Sequence, residues 1–206
     1  MKDFETPYKS INCPQCGASL PIYFVHTKLS QCSYCGSSIF LDDEASRVAG
    51  FSSVLAPEPS LITLYTPFSY SGKSYFPMGM IRYSYGRGFW EEWWIKDSSD
   101  SEYWLSVDEG DMVLEKLVEN EDDPQLFKDA YISQSVGAQW IVTEIGEGVC
   151  EGFLGSLPRE VIKGQTHRYI HLSGYSGQIK TLEADITGMH TYIGKWLSPF
   201  DIKGIS

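Results

Sequence analysis

No run of this 206-residue chain stays apolar for the ~20 residues that a membrane-crossing helix requires, and no charged-then-apolar leader opens it. The chain is therefore expected to be soluble and cytoplasmic. Basic residues are scarce: 16 Lys and Arg stand against 27 Asp and Glu, a formal net charge of −11. An acidic surface repels phosphate backbones, which argues against DNA or RNA as a partner. No glycine-rich strand-to-helix loop of the phosphate-binding kind occurs. Cysteine is sparse, five in all, yet four of the five fall in two matched pairs. Without a secretory leader the cytosol keeps thiols reduced, so disulfides are not expected.

The pairs read Cys13-Pro14-Gln15-Cys16-Gly17 and Cys32-Ser33-Tyr34-Cys35-Gly36, with fifteen residues between them. Two thiolates three positions apart on a tight turn can face one ion, and glycine after the second supplies the open backbone the turn needs. The spacing predicts a zinc ribbon with Cys13, Cys16, Cys32 and Cys35 as ligands. Sulfur also suits a single iron, but a closed structural site needs no redox role, which favours structural zinc. Residues 1–41 are too few to bury a core unaided and should fold only around the metal. They carry a net charge of +1, leaving −12 on the rest.

A linker is expected over 42–59, marked by Ala56-Pro57-Glu58-Pro59-Ser60. Over 60–118 period-two alternation between turns predicts a first β-meander half: Met80 to Tyr85, Phe89 to Ile95, Tyr103 to Val107 and Met112 to Leu117, with a turn at Gly86-Arg87-Gly88. Residues 119–135 hold an acidic loop, Glu119 to Asp123, and a short helix from Pro124 to Tyr131. A second β half follows over 136–206, with strands Trp140 to Ile145 and Val149 to Leu154 around a turn at Gly146-Glu147-Gly148. The expected fold is mostly β: an N-terminal zinc ribbon, then an antiparallel β-barrel or sandwich. Laying Gly146–Gly148 over Gly86–Gly88 suggests two related halves, with Arg168 to Leu172 matching Tyr103 to Val107.

Trp90-Glu91-Glu92-Trp93-Trp94 and Trp104 form the densest aromatic and acidic cluster. On a strand, Glu91 shares a face with Phe89, Trp93 and Ile95, and a carboxylate there needs a partner; Arg82 is the candidate. Trp90, Glu92 and Trp94 take the other face and, with Trp104, form a candidate aromatic-acidic pocket for an amine. His167 and His171 share a face, but no further metal ligand lies near them in sequence, so hydrogen-bonded histidines are expected. Cys150 beside Glu151 reads as a packed thiol rather than a nucleophile. With no nucleophile–base pair and no open metal site in the sequence, the expectation is a non-enzyme.

The stretch Thr66-Pro67-Phe68, Gly72-Lys73-Ser74-Tyr75, Gly79 to Tyr83, Trp90-Glu91-Glu92-Trp93 and Tyr103-Trp104-Leu105-Ser106 resembles the bacterial domain of unknown function 4178. Leu157-Pro158, Tyr169, Leu182-Glu183 and Tyr192-Ile193-Gly194 fit its second half, and the resemblance covers roughly residues 50–200. Members often carry an N-terminal zinc ribbon. The family has no established activity, so the resemblance transfers no catalytic residues. It implies an accessory role in a membrane-associated system. Together these readings predict a zinc-binding scaffold that contacts an unidentified protein partner or a second copy of itself. The alternative is a module that binds a cationic amine, such as a polyamine, through Trp90, Glu92, Trp94 and Trp104.

Overall fold

The computed structural model describes residues 6–41, 46–50, 55, 58–119 and 123–204. Parts of the expected linker (42–45, 51–54 and 56–57) and of the acidic run (120–122) lie outside the described residues. The first strands are β1 (Lys9–Asn12), β2 (Ser19–Ile22), β3 (Leu29–Gln31), β4 (Ser38–Leu41) and β5 (Ser46–Gly50). The body adds β6 (Phe68–Tyr70), β7 (Lys73–Ser84), β8 (Phe89–Asp97), β9 (Glu102–Asp108) and β10 (Asp111–Val118). After helix α1 (Pro124–Asp129) come β11 (Ser135–Val136), β12 (Trp140–Leu157), β13 (Thr166–Ser173), β14 (Gln178–Asp185) and β15 (Gly188–Leu197). Helix α1 starts where the sequence predicts, with Pro124 in its first turn and the Asp123 carboxylate accepting from the Leu126 N–H. Among the described residues no helix is long and apolar enough to cross a membrane.

Strands β7 to β10 form one antiparallel meander and β12 to β15 a second. The two first strands pair, β7 with β12, and the two last strands pair, β10 with β15. The result is a closed ring of eight strands, a barrel rather than a sandwich, with no exposed edge around the ring. The pleat then sends alternate residues to two different interiors. Trp90, Trp94, Trp104, Ile81, Tyr83, Phe153 and Tyr192 point into the barrel. Trp93, Ile95, Leu105, Met112 and Leu114 point outward and are covered by Ile62, Phe68, Leu197 and Ile202. Both tryptophan faces of β8 are therefore core, one inside the barrel and one beneath the flanking chain.

The second half departs from its sequence-based outline. Gly146-Glu147-Gly148 is not a turn: it lies inside β12, a single 18-residue strand. A Cβ on Gly148 would sit 2.2 Å from the Trp90 ring, and one on Gly146 would sit 2.5 Å from the Tyr169 ring. These glycines make room for large side chains inside the barrel, which is the close-approach use of glycine in a strand. The proposed superposition of the halves consequently slips by one strand. Arg168 to Leu172 belongs to β13, the second strand of its meander, whereas Tyr103 to Val107 belongs to β9, the third of its own. The repeat visible in the structure is one of topology, meander against meander.

The ribbon is joined to the barrel. β3 pairs with the end of β12 at Ser30–Ser156 and Leu29–Leu157, and the Lys28 N–H donates to the Leu157 carbonyl at 2.8 Å. Phe24 and Leu29 pack into the same cluster as Trp94, Phe76 and Leu157, closing that end of the barrel.

On the outer face Arg82 stands directly across from Glu91 in the β7–β8 register. Arg82 Nη2 lies 2.8 Å from Glu91 Oε1, with both side chains buried. Glu91 Oε2 accepts from Ser60 Oγ at 2.6 Å and from Trp93 Nε1 at 3.1 Å. Truncating one member of such a pair strands the other charge, at a cost of about 3–5 kcal/mol. Glu91→Ala should lose that much in denaturant unfolding, while Arg82→Met/Glu91→Leu should recover most of it. A loss below about 1 kcal/mol for Glu91→Ala would show that the pair does not hold this face.

Candidate functional site

Two groups of polar residues stand out. The first is the cysteine cluster. Both knuckles fold identically: the Gly17 N–H donates to the Cys13 carbonyl and the Gly36 N–H to the Cys32 carbonyl, each at 2.8 Å. Gly17 and Gly36 sit at φ of 75° and 73°, a conformation that favours glycine. The four Sγ atoms all lie within 4.8 Å of one another, and none is in a disulfide. Cys13 Sγ is 3.8 Å from Cys35 Sγ, and Cys16 Sγ is 3.8 Å from Cys32 Sγ. Thiolates at ~2.3 Å from a tetrahedral ion would stand about 3.8 Å apart, so the set could hold one metal ion. The Ser37 hydroxyl, 3.2 Å from Cys35 Sγ, and the Ser37 N–H hold that thiol down at about 6.

The second is the barrel lumen. A cavity of about 150 Å³ lies within the ring, lined by six carboxylates: Glu92, Asp108, Asp111, Glu115, Glu144 and Glu183. Its aromatic walls are Trp90, Tyr169 and Trp196, and among the described residues no Lys or Arg lines it. Asp108, Asp111 and Glu144 form a solvent-exposed rim. Deeper in, burial pushes the Glu115 carboxyl up to about 7, although Thr181 Oγ1 donates to it at 2.7 Å. Burial also raises Glu92 and Glu183, against the pull of Arg159 on both. His171 lies 3.1 Å from Glu144; burial works to lower its pKa, but the Glu144 hydrogen bond together with the charges of Glu115, Glu144 and Glu183 raises it.

Below the cavity a buried guanidinium ties the wall together. Arg159 Nη2 is 3.1 Å from Glu92 Oε2, and Nη1 is 3.1 Å from Glu183 Oε2 and 3.5 Å from Asp185 Oδ2. The same group lies over the Trp104 ring at 4.7 Å. Sequence reasoning did not single out Arg159. It sits just past β12, outside every alternating segment, and only the closed ring brings it beneath β8 and β14.

The structure places Trp90, Glu92, Trp94 and Trp104 on one face, all inside the barrel and all buried. Trp90 and Glu92 line the cavity. Trp94 packs edge-on against Phe24 at 5.8 Å, and Trp104 faces Arg159. The candidate amine box is thus split, and its lower half already holds the protein's own cation. His167 and His171 both face the lumen, joined by carboxylates from distant strands that the sequence did not place near them. His190 bonds Thr187 at 2.8 Å. Cys150 is buried, and burial pushes its thiol up to about 11.

A family model described as Domain of unknown function (DUF4178) matches residues 66–199. The chain belongs to this family. The match runs from just before β6 through β15 and so takes in the whole ring and its lumen, while the cysteine knuckles lie before it. The comparison with curated proteins finds no match, and neither does that with solved structures.

The raised Glu115 pKa has a stability consequence with a definite sign. Folding favours its neutral form, so its contribution is full below the ordinary value of 4.5 and is lost as pH rises toward 7. Glu92, Glu183 and His171 act on it through the lumen. Glu115→Gln keeps an acceptor for Thr181 and removes the charge. The variant should gain on the wild type by on the order of 3 kcal/mol between pH 4.5 and 8 in unfolding experiments. Parallel stability curves for the two proteins would refute this account of Glu115.

Proposed function

We propose that this chain is a non-enzymatic binding protein whose barrel lumen holds a small organic cation of the polyamine type, carried on a zinc-stapled ribbon. The observation that supports it is the cavity wall: six carboxylates and three aromatic rings around one space, with two histidines but, among the described residues, no Lys or Arg. Ammonium groups suit that wall by charge pairing with Glu115, Glu144, Asp108 and Asp111, and by contact with the faces of Trp90 and Trp196. Zinc is the ion assigned to the ribbon, since the sulfur spacing fits a closed tetrahedral site and soft ligands prefer it. Titration calorimetry with spermidine and putrescine at low salt tests the reading. Binding should weaken with added salt and fall about tenfold or more in Glu115→Gln/Glu144→Gln. Absence of heat at any salt concentration would reject the amine.

A second role rests on a separate observation. Tyr8, Val25 and Tyr34 of the ribbon are exposed by 61%, 58% and 85%, the surface expected of an element that docks a protein partner. Affinity purification from the native host should return a partner that Tyr8→Ala/Tyr34→Ala fails to retain. Equal recovery by both proteins would remove the ribbon from that role.

A further inference from the structure

At the floor of the lumen two of the wall's carboxylates, which are not among the ammonium contacts named above, meet a buried histidine. Glu92 on β8, His167 on β13 and Glu183 on β14 each bring one ligand atom within 4.8 Å of the others, and all three residues are buried. His167 is only 1% exposed, yet neither of its ring nitrogens has a hydrogen-bond partner. An orphaned buried imidazole is costly and needs an explanation. Its Nε2 faces Glu92 Oε1 at 3.6 Å and Glu183 Oε2 at 3.9 Å. Both separations are too long for hydrogen bonds. Ligand atoms ~2.1 Å from one tetrahedral ion stand about 3.4 Å apart, so these separations suit an ion between the three groups better than direct hydrogen bonds.

We propose that Glu92, His167 and Glu183 bind one divalent first-row transition-metal ion at the floor of the barrel. The surroundings are those of a metal site's outer shell. Trp90 Nε1 donates to Glu92 Oε1 at 3.1 Å, and Arg159 donates to Glu92 Oε2 and Glu183 Oε2 at 3.1 Å each, so hydrogen bonds fix the orientation of both carboxylates. The Tyr83 ring stacks on His167 with centroids 4.4 Å apart and fixes the plane of the imidazole. Glu92, Glu183 and Asp185 set against Arg159 leave a formal charge of −2, which a divalent ion neutralises. One imidazole with two carboxylates suits zinc, manganese or ferrous iron. Three protein ligands leave a coordination position, and the cavity above supplies the space for water or a small ligand to fill it.

The site stands whether or not an amine enters the rim, and its test uses metal alone. The full chain, reconstituted with Zn²⁺ or Co²⁺ and freed of excess, is analysed by plasma mass spectrometry. Two equivalents per chain are expected, one at the cysteines and one in the lumen. His167→Phe, which keeps a ring against Tyr83, and Glu183→Gln should each retain one equivalent. In the Co²⁺ form the lost equivalent should be the weakly absorbing one, with the thiolate charge-transfer bands of the ribbon unchanged. One equivalent in the wild-type chain overturns the proposal regardless of how the variants fold. Two equivalents that survive in both variants overturn it as well.

Discussion

Closure of the barrel depends on the pairing of one strand. β12 holds β13 along its first half, β7 along its second and β3 at its end, so it carries the second meander, the seam with the first and the attachment of the ribbon. A strand that long must bend. It does so at two register shifts, between Val142 and Glu144 and between Cys150 and Gly152. Gly148, Gly146 and Gly155 lie where Trp90, Tyr169 and the β7 backbone come too close for a side chain. Without that strand the meanders would form one open sheet joined at β10 and β15, and the carboxylates of β8 and β14 would have no closed interior to share.

The barrel separates two networks of buried charge. On the outside Arg82 and Glu91 form a closed pair, with serine and tryptophan donors filling the remaining acceptor sites of the carboxylate. On the inside one guanidinium serves three carboxylates and leaves an imidazole unserved. The first has the composition of a structural element: each charge meets its opposite. The second carries surplus negative charge in a place that burial makes expensive. That contrast directs attention to the lumen rather than to the outer face of the tryptophan hairpin.

Features encoded locally were legible in the sequence. The knuckles lie within short runs, and the strands of the first meander follow from period-two alternation between turns. The helix after the acidic run follows from Pro124. The errors came where tertiary context reversed a local cue. Gly146 and Gly148 carry the composition of a turn, but they are glycines because bulky side chains approach them across the barrel. Glu92, His167 and Glu183 are separated by 75 and 16 residues, a spacing that no local motif spans. His167 looked unaccompanied because its companions are neighbours only after the ring closes. Arg159 lies in a loop, where periodicity says nothing.

Phe24 and Leu29 of the ribbon seal one end of the barrel, and the loop bearing Arg159 covers the space beneath the floor residues. Asp108, Asp111 and Glu144 form an exposed rim on the open side of the lumen. A second, narrow pocket beside Cys150 and Ile162 also reaches His167, so the floor has two approaches. Rim and floor therefore do not lie in strict series, and occupying the rim would leave the floor reachable from this side.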